Sequence, residues 1–106
     1  MMTTITEHHE PARWDDLVAS YAVTSALQGW GWGEVKAVSG WSAHRLELPG
    51  AFAAQILRKR IAPGVSMLYA PRGPALNSLD ALGAFATAMR RWAKSSDIYL
   101  KIEPEA

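Results

Sequence analysis

Lys36 and Trp32 are the residues of this chain whose types and spacing best suit ligand binding. They are four positions apart, so their side chains lie on one face if the segment is helical. A lysine ammonium beside an indole can hold a phosphorylated ligand through charge-assisted hydrogen bonds. The alternative is an ordinary surface lysine, which spacing alone does not exclude. We therefore predict Lys36 and Trp32 as substrate-binding residues.

The segment YAPRGP, residues 69–74, is a second place where side chains suit binding. Its two prolines restrict the backbone on either side of Arg72 and Gly73. A rigid loop between a predicted strand and a predicted helix often carries functional residues. Tyr69 and Arg72 are therefore also candidates for substrate binding. The alternative is a structural turn whose arginine pairs with a carboxylate.

The three histidines do not indicate a metal site. His8 and His9 are adjacent, and neighbouring side chains do not converge on one ion as side chains four positions apart on a helix do. We predict a solvated N-terminal tail for this pair and a packed, hydrogen-bonded role for His44. The chain offers no Ser-His-Asp set, no activated cysteine and no convincing carboxylate pair, so we predict no catalytic residue.

The glycine-rich run GWGWG, residues 29–33, does not fit a nucleotide-binding loop. Such loops need the pattern G-x-G-x-x-G after a strand, or a lysine followed by serine or threonine. Glycines alternating with tryptophans instead favour close packing of a helix on a sheet, or close approach of a ligand to the backbone.

Hydrophobic periodicity predicts an α+β fold of order α-α-β-β-β-α-β. Apolar residues at helical spacing indicate helices over 11–21, from Thr24 or Ser25 to about Val38, and over 78–96 with Ser78 as the cap. Apolar runs, alternation of apolar and polar residues, and two Pro-Gly turns indicate strands at 44–48, 51–60, 65–70 and 98–102. The segment 78–96 has the strongest apolar stripe, so we expect it to cover a mixed sheet with Phe85 and Met89 buried.

Composition limits the function classes. A chain of 106 residues holds one hydrophobic core, and a formal charge of +1 does not suggest an extended nucleic-acid surface. There is no cysteine, no secretion signal and no apolar run long enough for a membrane span. These features predict a cytoplasmic protein without disulfides or thiolate metal sites.

Four segments in order resemble the start of the FemA/FemB/FemX family. They are QGWGWGEVKAVSGW at 28–41, AAQIL at 53–57, YAPRGP at 69–74 and LKIEPE at 100–105. The resemblance extends from about Trp14 to Glu105, and the pattern W-x-x-x-K-x-x-x-G-W followed by Y-A-P-R-G-P is its most specific part.

The resemblance implies a fold related to GNAT acetyltransferases, of which residues 1–106 would form the N-terminal part of the first of two copies. It implies transfer of an amino acid from aminoacyl-tRNA to the stem peptide of a UDP-MurNAc-pentapeptide or lipid-linked peptidoglycan precursor, in the cytoplasm or at the inner face of the membrane. No cofactor is implied. The lysine matching Lys36 is associated with the acceptor's diphosphate.

The family residues credited with the chemical step lie in the longer chain, so we expect this fragment alone to be inactive. We expect it to pair with the missing C-terminal part or to self-associate. A different alternative is a non-catalytic binding or interaction module that kept only the first half of the fold. A small acyl-CoA-dependent acyltransferase is a third, disfavoured because no R/Q-x-x-G-x-G/A loop is present.

Overall fold

The computed structural model describes residues 5–102. The α-helices of this part are α1 (Pro11–Ala19), α2 (Trp30–Ala37) and α3 (Leu82–Trp92), with short 3-10 helices at Ala26–Gln28 and Leu79–Ala81. The strands are β1 (Thr6–His8), β2 (Ser42–Leu48), β3 (Phe52–Ala62), β4 (Val65–Ala70), β5 (Ala75–Leu76) and β6 (Asp97–Ile102). None of the described helices has the length and apolarity needed to cross a membrane.

All of these strands belong to one mixed sheet, as expected. Its order is β1-β2-β3-β4-β6, with β5 paired to the other end of β3. Every pairing is antiparallel except that of β4 with β6, which is parallel. Parallel strands need a crossover between them, and α3 supplies it by returning the chain from the end of β4 to the side of the sheet where β4 begins.

The two hairpins of the sheet confirm the Pro-Gly turn predictions. Leu48 pairs with Phe52 across the first turn, where Gly50 has a φ of 81°. Val65 pairs with Ala62 across the second, where Gly64 has a φ of 72°. Both angles lie in the left-handed region that glycine adopts without steric cost.

α1 begins as its sequence predicts but ends at Ala19 rather than at Tyr21. Its cap is Glu10, whose carboxylate accepts hydrogen bonds from the backbone N–H groups of Ala12 and Arg13 at 3.3 and 2.7 Å. These bonds satisfy N–H groups that have no partner inside the helix.

The second predicted helix is divided. Ser25 caps the 3-10 turn by accepting a hydrogen bond from Leu27 N at 3.2 Å, and an extended residue, Gly29, then separates this turn from α2. α2 ends at Ala37, and Gly40 follows it with a φ of 90°.

The helix predicted over 78–96 extends beyond the observed α3 at both ends. Residues 79–81 form a 3-10 turn that leads into α3. Ser78 occupies the cap position of this turn, but its side chain makes no capping hydrogen bond. Phe85 and Met89 are 1% and 3% exposed, which confirms that α3 covers the sheet. Ala88 is also buried, whereas Ala86, which helical spacing alone would add to the apolar stripe, is exposed.

The core has two parts on opposite sheet faces. On one face, α3 packs against alternate strand residues, with Phe52 and Phe85 meeting edge to face at 4.9 Å between ring centroids. On the other face, Trp14 and Val18 of α1 pack on Ala53 and Ala75. Helices on both faces leave β3 almost fully buried along its first half.

Two strands were absent from the predicted order. β1 pairs with β2, and His8 Nε2 lies 2.8 Å from Glu47 Oε1, so the prediction of a solvated tail for His8 is wrong. β5 pairs with β3 and also bridges to Val23. Two or three residues carry too little periodicity to indicate a strand, and both segments are extended because the sheet offers them partners.

Candidate functional site

Lys36 and Trp32 lie together on α2. Lys36 Nζ is 5.2 Å from the centroid of the Trp32 indole. Lys36 is in the last helical turn, where the C-terminal end of the helix dipole favours a cation. An ammonium held over an aromatic ring at this distance keeps its N–H donors available for a ligand anion.

Tyr69 lies on the sheet and contacts a different tryptophan. Its ring centroid is 6.2 Å from that of Trp41, the residue before β2. Lys59 Nζ lies 5.5 Å from the Trp41 ring centroid, and Lys101 Nζ lies 5.5 Å from that of Tyr69. We call Trp41, Lys59, Tyr69 and Lys101 the aromatic–lysine face.

The aromatic–lysine face adjoins the end of α2. Trp41 N donates a hydrogen bond to Lys36 O at 3.3 Å, so the chain turns from the helix directly onto the sheet. A Cβ placed on Gly40, within this turn, would lie 4.0 Å from Lys59 Cε. Lysine ammoniums beside half-buried aromatic rings suit a ligand that combines phosphate with a sugar or base.

Sequence reasoning did not include Trp41, Lys59 or Lys101 in the candidate site. Nothing in the predicted strand 51–60 distinguishes Lys59 from an ordinary surface lysine, but the structure places its ammonium over the Trp41 indole. The pairings that gather these residues are between strands, with Tyr69 opposite Lys101 in the parallel β4–β6 ladder. Local sequence carries no signal for such a pairing.

Arg72 lies in the turn after β4 and is exposed, with a φ of 52°. A positive φ is uncommon for a residue with a Cβ and persists where the surrounding structure enforces it. Here the enforcing residue is Gln28, which donates from Nε2 to Pro71 O at 2.9 Å. A Cβ on Gly73 would collide with the same Gln28 amide. These contacts support the interpretation of this loop as rigid, and ligand binding by Arg72 stays a prediction.

A buried polar network fixes α2 to the sheet. Gln28 and Gln55 are fully buried and Arg45 is 6% exposed. Gln55 Nε2 donates to Gly29 O at 2.7 Å, and Arg45 Nε donates to Gln55 Oε1 at 2.9 Å. These bonds hold the start of α2 in register with β2 and β3. A fully satisfied buried network is rigid, because breaking any bond leaves a buried group unpaired.

Alternation along the predicted strand 44–48 would place Arg45 on the solvent side, but the structure buries it under α2. Its guanidinium lies 3.6 Å from the Trp30 ring centroid and donates to Trp30 O at 3.0 Å. Burial lowers the pKa of the Arg45 guanidinium, and Glu34, with a carboxylate oxygen 3.7 Å away, acts in the opposite direction. Gln55, a polar residue inside the apolar run AAQIL, was the available signal that a buried partner existed.

Gly33 permits this packing. A Cβ there would lie 2.5 Å from Gln55 Oε1 and 2.6 Å from Arg45 Nη2, closer than real Cβ contacts allow. This supports the interpretation that the glycine-rich run lets a helix approach a sheet. Gly31, by contrast, has open space around its Cβ position.

His44 packs and bonds as expected. Its ring meets Trp92 edge-on at 5.3 Å and lies within hydrogen-bond distance of Ser42 and Glu7. Burial is the main cause that lowers the pKa of His44, while Glu7 acts to raise it. Within residues 5–102, no group of three or more His, Asp or Glu is placed to hold a metal ion.

Comparison with known proteins finds a family and a solved structure of similar fold. Residues 10–106 match the model of the FemAB family. A solved structure described as that of FemX is similar in fold, with a TM-score of 0.78 and 27% sequence identity. The match covers 97% of this chain but 27% of the FemX chain, so the chain spans about a quarter of that protein's length. No curated protein matches.

Proposed function

The chain belongs to the FemAB family, and on that premise we propose that it forms the acceptor-binding part of an aminoacyltransferase of cell-wall biosynthesis. The complete enzyme would transfer amino acids from aminoacyl-tRNA to the stem peptide of a peptidoglycan precursor. Residues 1–106 would be the first part of a GNAT-like domain and would act in the cytoplasm or at the inner face of the membrane. The family match and the FemX-like fold support this assignment.

The observation that carries the proposal is the position of Lys36. Its ammonium lies over Trp32, and the backbone of Lys36 is bonded to that of Trp41 in the aromatic–lysine face. A diphosphate would be held by Lys36, and the sugar or base attached to it would stack on the adjacent rings. Lys59 and Lys101 add positive charge to the same face.

The chemical step would be attack of an amine on an ester carbonyl, which needs a deprotonated amine, a polarised carbonyl and close alignment. The residues that we assign to this chain bind and orient the acceptor. Tyr69 and Arg72 complete the proposed set, because the bonds of Gln28 to the Arg72 loop and to β3 fix them relative to α2. We assign no catalytic residue among them and expect this chain alone to bind without transfer.

A calorimetric titration of the 106-residue chain with UDP-MurNAc-pentapeptide tests the proposal. Saturable binding that Lys36→Ala weakens by about tenfold or more and Lys94→Ala leaves unchanged supports it, since Lys94 is exposed near the end of α3. Binding that is insensitive to Lys36 contradicts it.

The second candidate is a non-catalytic interaction module, and the buried network is the observation that favours it. Gln28, Gln55 and Arg45 give this short chain a rigid interior of its own. Aminoacyl transfer by the longer protein, measured with aminoacyl-tRNA and the precursor, separates the two candidates: transfer supports the enzyme, and binding without transfer supports the module.

A further inference from the structure

One end of the sheet gathers exposed cations and exposed apolar side chains. The β3–β4 hairpin projects there, and residues 60–64 at its tip are exposed. α2 and α3 both finish at this end, and β6 begins there beside β4. We define the hairpin end as residues 60–64 together with Val38 after α2, residues 90–94 of the α3 end, and Ile98 of β6.

Contacts on both faces of β3 hold the helix ends beside the hairpin. On one face, the Arg58 guanidinium lies 4.6 Å from the Trp92 ring centroid and donates from Nη2 to Asp97 Oδ2 at 2.7 Å. On the other face, Gly40 follows α2, and its Cβ position is 4.0 Å from Lys59 Cε. Both helices therefore end within a few residues of the hairpin tip.

The hairpin end carries positive charge that no carboxylate within residues 5–102 offsets by an ion pair. Asp97 is the acidic residue of this region, and Arg58 already pairs with it. The exposed Asp15 and Asp16 belong to α1, which packs over the first half of β3. The exposed cations of the hairpin end without a carboxylate partner in this range are Arg60, Arg90, Arg91 and Lys94.

Large apolar side chains are exposed at the same end. Val38 is 89% exposed, Ile98 66% and Ile61, at the hairpin tip, 55%. A nucleic-acid backbone would attract the cations but offers nothing to isoleucine and valine. The surface of an anionic bilayer suits both groups, because its headgroups attract lysine and arginine while apolar side chains enter the boundary between headgroups and acyl chains.

From this arrangement we propose that the hairpin end docks on the surface of an anionic lipid bilayer. Its four unpaired cations contact headgroup phosphates, and Ile61 enters the boundary region with Val38 and Ile98 at the margin of the contact. This lipid-binding surface goes beyond the proposed function, because it uses none of the predicted substrate-binding residues and requires neither a precursor nor aminoacyl transfer.

Co-sedimentation of the 106-residue chain with lipid vesicles tests the proposal. Vesicles of phosphatidylcholine with about 30% phosphatidylglycerol should bind the chain with a dissociation constant of about 0.1–1 mM lipid. Vesicles of phosphatidylcholine alone should bind at least about tenfold more weakly. Added salt should weaken binding to the anionic vesicles, since it screens exposed charges. A sample without vesicles corrects for self-associated chain that sediments by itself.

Two pairs of variants locate the contact. Lys94→Gln should weaken binding to anionic vesicles by about fivefold, the effect of one cation near a charged surface. Arg13→Gln, its matched control, removes an exposed cation of α1 and should leave the affinity unchanged. Ile61→Ser should weaken binding by about threefold to tenfold. Its control is Leu79→Ser, because Leu79 is 47% exposed at the far end of α3. All four side chains are exposed, so circular dichroism should show folded variants.

Three outcomes overturn the proposal. Equal binding to both kinds of vesicle would exclude recognition of anionic headgroups. Equal effects of a variant and its control would exclude the hairpin end as the contact. Absence of binding up to about 10 mM lipid would exclude a lipid surface altogether.

A duplex RNA of about 20 base pairs is the competing partner. RNA binding that Lys94→Gln weakens and Ile61→Ser leaves unchanged, without binding to vesicles, would assign the cations to nucleic acid instead. The calorimetric titration with the precursor contains no lipid, so it reports on the proposed function separately and either proposal can fail alone.

Discussion

The side-chain amide of Gln28 pairs with the backbone of Gln55 as a neighbouring strand would. Gln28 Oε1 accepts from Gln55 N at 2.8 Å, and Gln28 Nε2 lies 3.4 Å from Gln55 O. On this side β3 pairs with β5 at Phe52 and Ala53 and with β4 from Leu57 onward, so Gln55 falls between two strand partners. Gln28 satisfies the backbone there and, through Pro71 O, fixes the Arg72 loop to the same point.

Gly33, which packs against this network, should not tolerate a methyl group. Gly33→Ala places a Cβ against Gln55 and Arg45, so we expect the free energy of unfolding to fall by about 1–3 kcal/mol, the usual cost of overpacking. Gly31→Ala is the matched control on the same helix: its Cβ meets open space, so it should stabilise the chain by up to about 1 kcal/mol. Urea unfolding measures both, and equal effects of the two variants would contradict the packing.

Lys36→Ala should weaken binding of the UDP-linked precursor by about 1.5–3 kcal/mol, the range for hydrogen bonds to charged groups. Lys36→Arg should restore part of the affinity, because a fork-shaped guanidinium does not reproduce a compact ammonium. Calorimetry measures each variant, with Lys94→Ala as the control. Equal affinities of wild type and Lys36→Ala would make Lys36 an ordinary surface lysine.

Lys59→Ala should also weaken precursor binding, by about threefold to tenfold. Lys59 lies over Trp41, and its positive charge attracts the diphosphate through an interaction that dissolved salt partly screens. Raising the salt concentration should reduce the difference between Lys59→Ala and wild type. A Lys59→Ala chain with unchanged affinity at low salt would exclude the aromatic–lysine face from the site.

Stability should fall in acid through Asp97. Arg58, which donates from Nη2 at 2.7 Å and from Nε at 3.0 Å, is the main cause that lowers the pKa of the Asp97 carboxyl. The folded chain thus holds this proton less tightly than the unfolded chain. The stabilisation is complete above the unfolded pKa of about 3.9 and is lost as the pH falls through the lower folded pKa.

Asp97→Asn removes this charge pair, so it should cost about 1–3 kcal/mol at pH 7 and flatten the dependence of stability on pH in the acid range. Urea unfolding between pH 2 and 7 measures the effect. Asp16→Asn, on the exposed side of α1, is the control and should keep the acid dependence of wild type. An Asp97→Asn chain with the same acid slope as wild type would show that other groups set it.

The outer edge of β6 should drive association of the isolated chain. Among the described residues β6 pairs only with β4, and Ile98 and Ile102 are 66% and 37% exposed. Unpaired strand edges with apolar side chains favour pairing between chains, and a charge on the edge opposes it. Light scattering should therefore show self-association that Ile98→Lys reduces, whereas Val38→Lys, exposed after α2, should not reduce it.

If the wild-type chain is a monomer and its thermal unfolding midpoint lies in the ordinary range of about 45–65 °C, this prediction is contradicted and a self-sufficient module is favoured.

The sequence alone determined the elements with strong periodicity and the turns between them. Alternation and the Pro-Gly pairs determined the β2–β3–β4 arrangement, and the apolar stripe of α3 correctly indicated that Phe85 and Met89 are buried, because both signals are local. The ordered motifs around Lys36 and YAPRGP also pointed to the family that the comparison shows.

Tertiary structure alone decided the partners of the polar residues. Nothing local distinguishes Arg45, buried against Trp30, from an exposed strand arginine, nor Gln28 from a helix-surface glutamine. β1 and β5 are too short to have a period, and the approach of Lys59 to Trp41 and of Lys101 to Tyr69 follows from strand register. These contacts join residues distant in the chain, so they form only once the sheet has assembled and buried polar groups are driven to pair.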